Sequence, residues 1–496
     1  MIEITQSFKP ILALACPASA AVLIMMSSRR PNLRESWTLI GSAAQFLIIL
    51  SMTPAIFAGH TIECYLFTMF SKVQFGFKVD AFGLLFAITA SSLWILVSIY
   101  SMGYMRSLHE HAQTRYYFCF ALAILGAIGV ALSGNLVTMY IFYEILTVST
   151  YPLVAHEQSP EALFAGRKYL AYLLTSGVFF LAAIVFTYSM AGTTDFNPRG
   201  ILASTSWSKS ALIILFILFI LGFMKAAYIP CQSWLPTAMV APTPVSALLH
   251  AVAVVKAGVF GIVRIVCYIY GIDLMDELGL GVMLASFAAL TMIGASLFAI
   301  AQDNLKRRLA YSTISQLSYV IFGVALLTPM GITGAMIHIP FHGFMKITLF
   351  LCAGSILVSS GKKNISEMAG IGQTMPVTML AFTVGAIGMC GAPPTAGFIS
   401  KWFLVWGTLQ AENLIFLGVI LISSLLDIVY FFPIIYTAFF GKLRGAESNL
   451  NPLNGVQEAP LSMVIPLTIT ALFSVIFCFP NPATNLILQL AKIAIR

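Results

Sequence analysis

Apolar runs of about 20 residues recur along almost the whole chain, each long enough to cross the hydrocarbon core of a bilayer as a helix. Of 496 residues, 59% are hydrophobic and 9% charged, whereas a soluble domain carries about 25% charged residues. A water-soluble core of this length has no use for so much apolar sequence, so the solvent is lipid. Taken in order, the runs predict spans over 9–28, 36–58, 80–104, 116–133, 135–155, 169–191, 210–228, 244–270, 279–301, 309–328, 331–358, 376–408, 412–440 and 460–490. The expected fold is all-α integral membrane, with about fourteen transmembrane helices.

The net charge is +8, but the basic residues sit mostly in short loops, where they set orientation. No basic-aromatic face suits nucleic acid. The first run is followed, not preceded, by Arg29, Arg30 and Arg34, which predicts a retained first helix and not a cleaved signal. With the N-terminus outside, alternate loops carry Arg29, Arg30, Arg34, Arg106, Arg115, Arg167, Lys168, Lys306, Arg307, Arg308, Lys362, Lys363, Lys442 and Arg444. The opposite side holds the smaller set: Lys9, Lys72, Lys78, Arg199, Lys209, Arg264, Lys492 and Arg496. This bias predicts a plasma-membrane protein with both termini on the non-cytoplasmic side.

Redox and nucleotide chemistry are not expected in the chain. Its eight cysteines are scattered, without a CxxC pair or a Cys/His cluster, so neither an iron–sulfur cluster nor structural zinc is expected. There is no GxxxxGK[ST] loop and no dinucleotide fingerprint. No cofactor is expected, and energy must come from an ion gradient or from partner subunits.

Two stretches break the helical pattern at membrane depth. One runs from Lys225 through Pro230, Pro236, Pro242 and Pro244; the other is Gly391-Ala-Pro-Pro-Thr-Ala-Gly397. Proline removes a backbone donor, and non-helical backbone is tolerated in a bilayer only where protein or water satisfies it. The breaks fall five helices apart in the predicted order, at the seventh and twelfth. Lys225 precedes its break and Lys401 follows its own. That arrangement suggests an internal inverted repeat with an ion path at the midplane.

Few ionisable residues lie well inside the predicted spans, away from their ends: Glu144, Lys225, His250, Lys256, His338, His342, Lys346, Lys401 and Asp427. A charge at the bilayer centre costs about 2.5–3.5 kcal/mol. The lysines and Glu144 together represent more than roughly 12 kcal/mol if unpaired, so partners, water or function must compensate. Glu144 is expected to pair with Lys225. While the pair is closed the lysine holds its proton, and on opening, burial favours release. Lys256 lies near the middle of its span, where its amine cannot snorkel to the interface. His338, His342 and Lys346 are spaced i, i+4, i+8 and share one helix face. Histidine can pass protons near neutrality, and no third or fourth ligand marks a metal site there. His250 reads as packing residue or relay member, and Asp427 as a further proton or cation ligand.

These residues lie in long motifs. The run Trp234-Leu-Pro-Thr-Ala-Met-Val-Ala-Pro-Thr-Pro-Val-Ser-Ala-Leu-Leu-His250, followed by Val255-Lys-Ala-Gly-Val-Phe-Gly261, resembles the signature of the antiporter-like subunits of respiratory complex I and Mrp-type cation/proton antiporters. Gln302-Asp-Asn-Leu-Lys306, Phe341-His342 with Lys346, and Gly391 to Lys401 match as well, so the resemblance covers roughly residues 80 to 440. It implies fourteen core helices with two inverted five-helix repeats, helices four to eight and nine to thirteen. The corresponding division is 1–113, 114–270, 279–440 and 441–496. It also implies a Glu144–Lys225 pair, a central connecting Lys256, a His342–Lys346 pair and a terminal Lys401. Phe341 stands where the family often has Asn.

Lys401 argues against the complex I subunit that carries glutamate there, and a chain ending after the fourteenth helix is expected to differ from the distal complex I subunit with its long lateral helix. The run Tyr430-Phe-Phe-Pro-Ile-Ile-Tyr-Thr-Ala-Phe-Phe440 resembles the D-type branch of the Mrp antiporters and membrane-bound hydrogenase relatives. The resemblance implies a proton-translocating subunit working with other membrane subunits, with Na+ or another monovalent cation as coupled ion. The alternatives are a proton-pumping subunit of a quinone oxidoreductase or hydrogenase, and a stand-alone transporter of a larger solute.

Overall fold

Helices dominate the computed structural model, which describes residues 3–70, 73–203, 205, 207–441 and 456–495. Lys72, Lys442, Arg444 and Arg496 of the loop-charge argument lie outside these residues. Among the described residues, ten helices are long and apolar enough to cross a membrane. They run from Lys9–Met26 to Leu414–Phe440. The ten are fewer than the fourteen expected, for two physical reasons. Lys209–Gly222, Pro376–Cys390, Leu461–Ile476 and Pro482–Ile495 are apolar but short, and Leu305–Ala325 opens on Lys306, Arg307 and Arg308 and carries serines and a glutamine. The last predicted span, 460–490, is in fact two helices separated at 477–481.

Helix starts follow local capping chemistry. Asp80, Asn135, Ser159 and Asn304 each accept a hydrogen bond from a backbone N–H of the first turn, satisfying a donor that the helix cannot. The long helix Pro160–Ala191 ends at Gly192, whose φ of 69° is cheap only without a Cβ.

A small sheet adds to the expected all-α fold. β1 (Glu3–Gln6) pairs in parallel with β2 (His60–Phe70), which pairs antiparallel with β3 (Val73–Val79). The second predicted span, 36–58, stops as a helix at Leu50, resumes as Thr53–Phe57 and then leads into β2.

Position in the bundle separates the helices. The segment Thr243–Tyr270 is buried along its whole apolar stretch and Pro329–Ser360 almost entirely, whereas Leu414–Phe440 exposes most of its surface. Pro329–Ser360 packs against Leu305–Ala325, Pro376–Cys390, Ala396–Gln410 and Leu461–Ile476. A helix that is apolar all round and also buried all round has only protein neighbours, so its histidines and lysine face other side chains and not lipid.

Arg264, counted above with the charges of the non-cytoplasmic side, is 1% exposed. It donates to both carboxylate oxygens of Asp80, the cap of Ala81–Ser107. The rings of Phe82, Phe196, Phe260 and Tyr268 surround its guanidinium. A bidentate pair among aromatic faces is where a buried arginine is tolerated, so Arg264 ties two helices together and is not a loop charge.

Candidate functional site

The first break begins where Lys209–Gly222 ends and the single 3-10 turn Met224–Ala226 follows. Backbone groups freed there find side-chain partners. Tyr143 Oη and Ser176 Oγ both donate to the Gly222 carbonyl, at 3.1 and 2.6 Å. The Met224 N–H donates to Ser176 Oγ, and Trp234 Nε1 donates to the Met224 carbonyl. These contacts meet the condition for irregular backbone at membrane depth.

Lys225 is fully buried in this turn. Its Nζ donates to the Tyr143 carbonyl and lies 3.1 Å from the centroid of the Tyr143 ring. The expected ion pair with Glu144 is not formed. Tyr143 takes the amine through its carbonyl and its π face, while Glu144 Oε1 has no hydrogen-bond partner among the described residues. A Cβ on Gly177 would come within 2.3 Å of Glu144 Oε1, so that glycine leaves the room the carboxylate occupies. The lysine and the glutamate are neighbours in an open arrangement.

Val254–Arg264 presses onto the same break. A Cβ on Gly258 would lie 2.3 Å from the Ala226 nitrogen and 2.6 Å from the Lys225 carbonyl carbon, both backbone atoms. Gly258→Ala is therefore expected to push the Lys256 helix away from the Lys225 turn. Strain from such overpacking costs about 1–3 kcal/mol, and a lowered melting temperature of the purified assembly would register it.

Lys256 Nζ lies 2.6 Å from His342 Nδ1. The rings of His342 and His338 are stacked with centroids 5.7 Å apart. His338 Nδ1 is 2.9 Å from Ser400 Oγ, and Ser400 adjoins Lys401. All of these residues are buried. The i, i+4 spacing of His338 and His342 thus turns into a polar line that joins three helices. No hydrogen bond links the expected pair His342 and Lys346: Lys346 lies one turn further along and donates to Ser312 Oγ and the Leu309 carbonyl. His250 stands apart, in the π-helical segment Leu248–Val252. Its ring packs on Phe350 at 4.6 Å, and neither ring nitrogen has a partner among the described residues.

The second break separates Pro376–Cys390 from Ala396–Gln410. Lys401 Nζ donates to the Cys390 carbonyl at 3.3 Å, satisfying one acceptor that the broken helix leaves free. It also forms an ion pair of 2.7 Å with Asp427 and reaches Ser424 at 3.1 Å. Asp427 is fully buried and accepts in addition from Gln316 Nε2, at 2.8 Å, and from the Tyr430 hydroxyl. The aspartate whose partner the sequence leaves open is therefore the counter-charge of Lys401. The ring of Tyr319 lies 4.7 Å from the same amine.

Sequence reasoning missed Tyr143, Ser176, Ser312, Gln316, Ser400 and Tyr430. Ser312 and Gln316 sit at i and i+4 on Leu305–Ala325, a polar stripe along a buried helix face. That stripe was the available signal. The others are single hydroxyls that carry no pattern of their own.

A family model described as "NADH:quinone oxidoreductase/Mrp antiporter, TM" matches residues 133–427, and one described as "NADH-Ubiquinone oxidoreductase (complex I), chain 5 N-terminus" matches residues 67–117. The chain is 32% identical over 379 residues to NADH-quinone oxidoreductase subunit N of Desulforudis audaxviator, covering 75% of each chain. It is 30% identical over 453 residues to the A-type subunit of the Na+/H+ antiporter of Alkalihalophilus pseudofirmus, covering 85% of this chain and 55% of that protein. It thus spans little more than half of that relative. The fold matches a chain of the Mrp complex from Dietzia sp. with a TM-score of 0.86 at 21% identity, over 98% of this chain and 96% of the other. The chain belongs to the NADH:quinone oxidoreductase/Mrp antiporter family and is an antiporter-like, multi-span membrane protein.

Proposed function

We propose that this member of the NADH:quinone oxidoreductase/Mrp antiporter family translocates protons as one subunit of a multisubunit cation/proton antiporter, similar to the D-type subunits of Mrp complexes, with Na+ as the coupled cation. The observation that carries the reading is the buried line Lys256–His342–His338–Ser400, ending beside Lys401 and Asp427. Every group along it can give or take a proton or a hydrogen bond. Protons enter near Lys256 or Lys346, pass along the histidines and leave past Lys401. His250 lies off this line and serves, in this reading, as a side member reached through water.

Two acid–lysine sets flank the line. Glu144 with Lys225 forms the gate of the first half, 114–270, and Asp427 with Lys401 that of the second, 279–440. A carboxylate in contact stabilises the ammonium, and separation favours loss of its proton. The lysine of the first gate is engaged by Tyr143, while the second gate is closed. Alternation between open and closed gates would move charge along the line without any redox group in the chain. The protein is placed, on this reading, in the plasma membrane, with both termini on the non-cytoplasmic side and other membrane subunits against its exposed apolar faces.

A second reading is a proton-pumping subunit of a redox enzyme, favoured by the 32% identity to an NADH-quinone oxidoreductase subunit. Vesicles containing the purified assembly separate the two. An imposed Na+ gradient is expected to drive a pH change with no electron donor present. A pH change that requires an electron donor would overturn the antiporter reading in favour of the redox one. In the same vesicles Glu144→Gln is expected to slow transport by roughly 10-fold, the effect of one pKa unit of proton affinity. Parental rates in that variant would remove Glu144 from the gate.

A further inference from the structure

The turn between Ala81–Ser107 and Gln113–Leu132 carries Glu110 and His111, and the residue just past the end of Leu136–Val154 is Ala155, followed by His156. Folding brings one donor atom from each of Glu110, His111 and His156 to within 4.8 Å of one another. His156 Nε2 faces Glu110 Oε2 at 3.7 Å, and the two imidazole rings lie 4.8 Å apart.

The burial of these groups is graded. His156 is fully buried, Glu110 is half-buried and His111 is exposed. Neither ring nitrogen of His156 has a hydrogen-bond partner among the described residues. A buried ring nitrogen without a hydrogen bond has given up its hydration without an equal replacement, so a species that bonds it relieves a real cost. The neighbouring cation, Arg115, is already engaged, donating to the His156 carbonyl at 2.9 Å.

We propose that Glu110, His111 and His156 form a binding site for a divalent transition-metal ion of the zinc class. Two imidazoles and one carboxylate are the donors that such ions take, and three protein ligands leave a tetrahedral position open on the solvent side, where His111 is exposed. Calcium and magnesium fit poorly, because they call for more oxygen ligands than one carboxylate offers. The ligands come from two separate turns, so no spacing motif announces the site. The site lies outside the proton line and does not depend on the proposed function. When occupied, it would fasten the Glu110 turn to the end of the helix that carries Tyr143 and Glu144.

Equilibrium dialysis of Zn2+ against the purified assembly tests this, with His111→Ala and His156→Gln compared with the parent. Loss of a ligand is expected to weaken binding by more than the about 10-fold that loss of a supporting partner costs. X-ray absorption should show nitrogen and oxygen neighbours at about 2.0–2.1 Å from the bound zinc. His111 is exposed, so its replacement removes only its ring contact with His156 and leaves the helix packing in place. Equal Zn2+ binding by the parent and His111→Ala overturns the site, whatever the fate of the buried His156→Gln variant.

Discussion

Replacing Lys256 with alanine in the assembled complex is expected to cut pH-gradient formation in vesicles by about 100-fold or more, the contribution of a positioned proton-transfer group. Lys256 is the partner of His342 Nδ1 at 2.6 Å, and His342 Nε2 has no other partner among the described residues. Without the amine the histidine pair loses its connection to the first half. Alanine alone does not distinguish a proton carrier from a fixed positive charge, but Lys256→Arg does. Arginine keeps the charge and cannot release its proton in a protein. A carrier role predicts that both variants fail, with assembly normal. A fixed-charge role predicts that arginine works. Parental transport in Lys256→Ala would sink the whole line.

The membrane character, most of the charges buried mid-span and the positions of both breaks were legible in the sequence, because each is a local property; Arg264, buried nearer a span end, was not. An apolar run, a lysine inside it and a proline cluster can be read without knowing what lies opposite. Pairing is not local. Lys256 and His342 come from helices far apart in the chain, and nothing in either run says that His342 meets Lys256 while Lys346 turns to Ser312. The same limit hid the partner of Asp427, though not the aspartate itself. Asp427 lies on a helix that exposes most of its surface, yet its own face is fully buried against Lys401 and Gln316. Glu144 shows the opposite error. It does lie near Lys225, but the competing acceptor, the carbonyl and ring of Tyr143, is invisible to any count of charges. The sheet was missed because His60–Phe70 follows a helical run without a clean alternation, and its partner strand at Glu3–Gln6 is too short to carry a period.

Asp427→Asn is expected to destabilise the purified assembly by about 3–5 kcal/mol, the cost of leaving a buried charge without its counter-ion. Lys401 would keep its Ser424 and Cys390 contacts but lose the carboxylate, and the Tyr430 hydroxyl would lose a charged acceptor. Adding Lys401→Met removes the stranded charge, and much of the stability should return, since a buried pair replaced by neutral groups is often no less stable than the pair itself. Melting temperatures of the parent, the two single variants and the double variant give the coupling directly. Transport in the same set then separates two roles that stability alone cannot. If the pair only holds the second break together, the double variant regains transport along with stability. If Lys401 carries protons, stability returns and transport does not. A double variant that transports at the parental rate would remove Lys401 from the proton line and leave Asp427 as its structural partner.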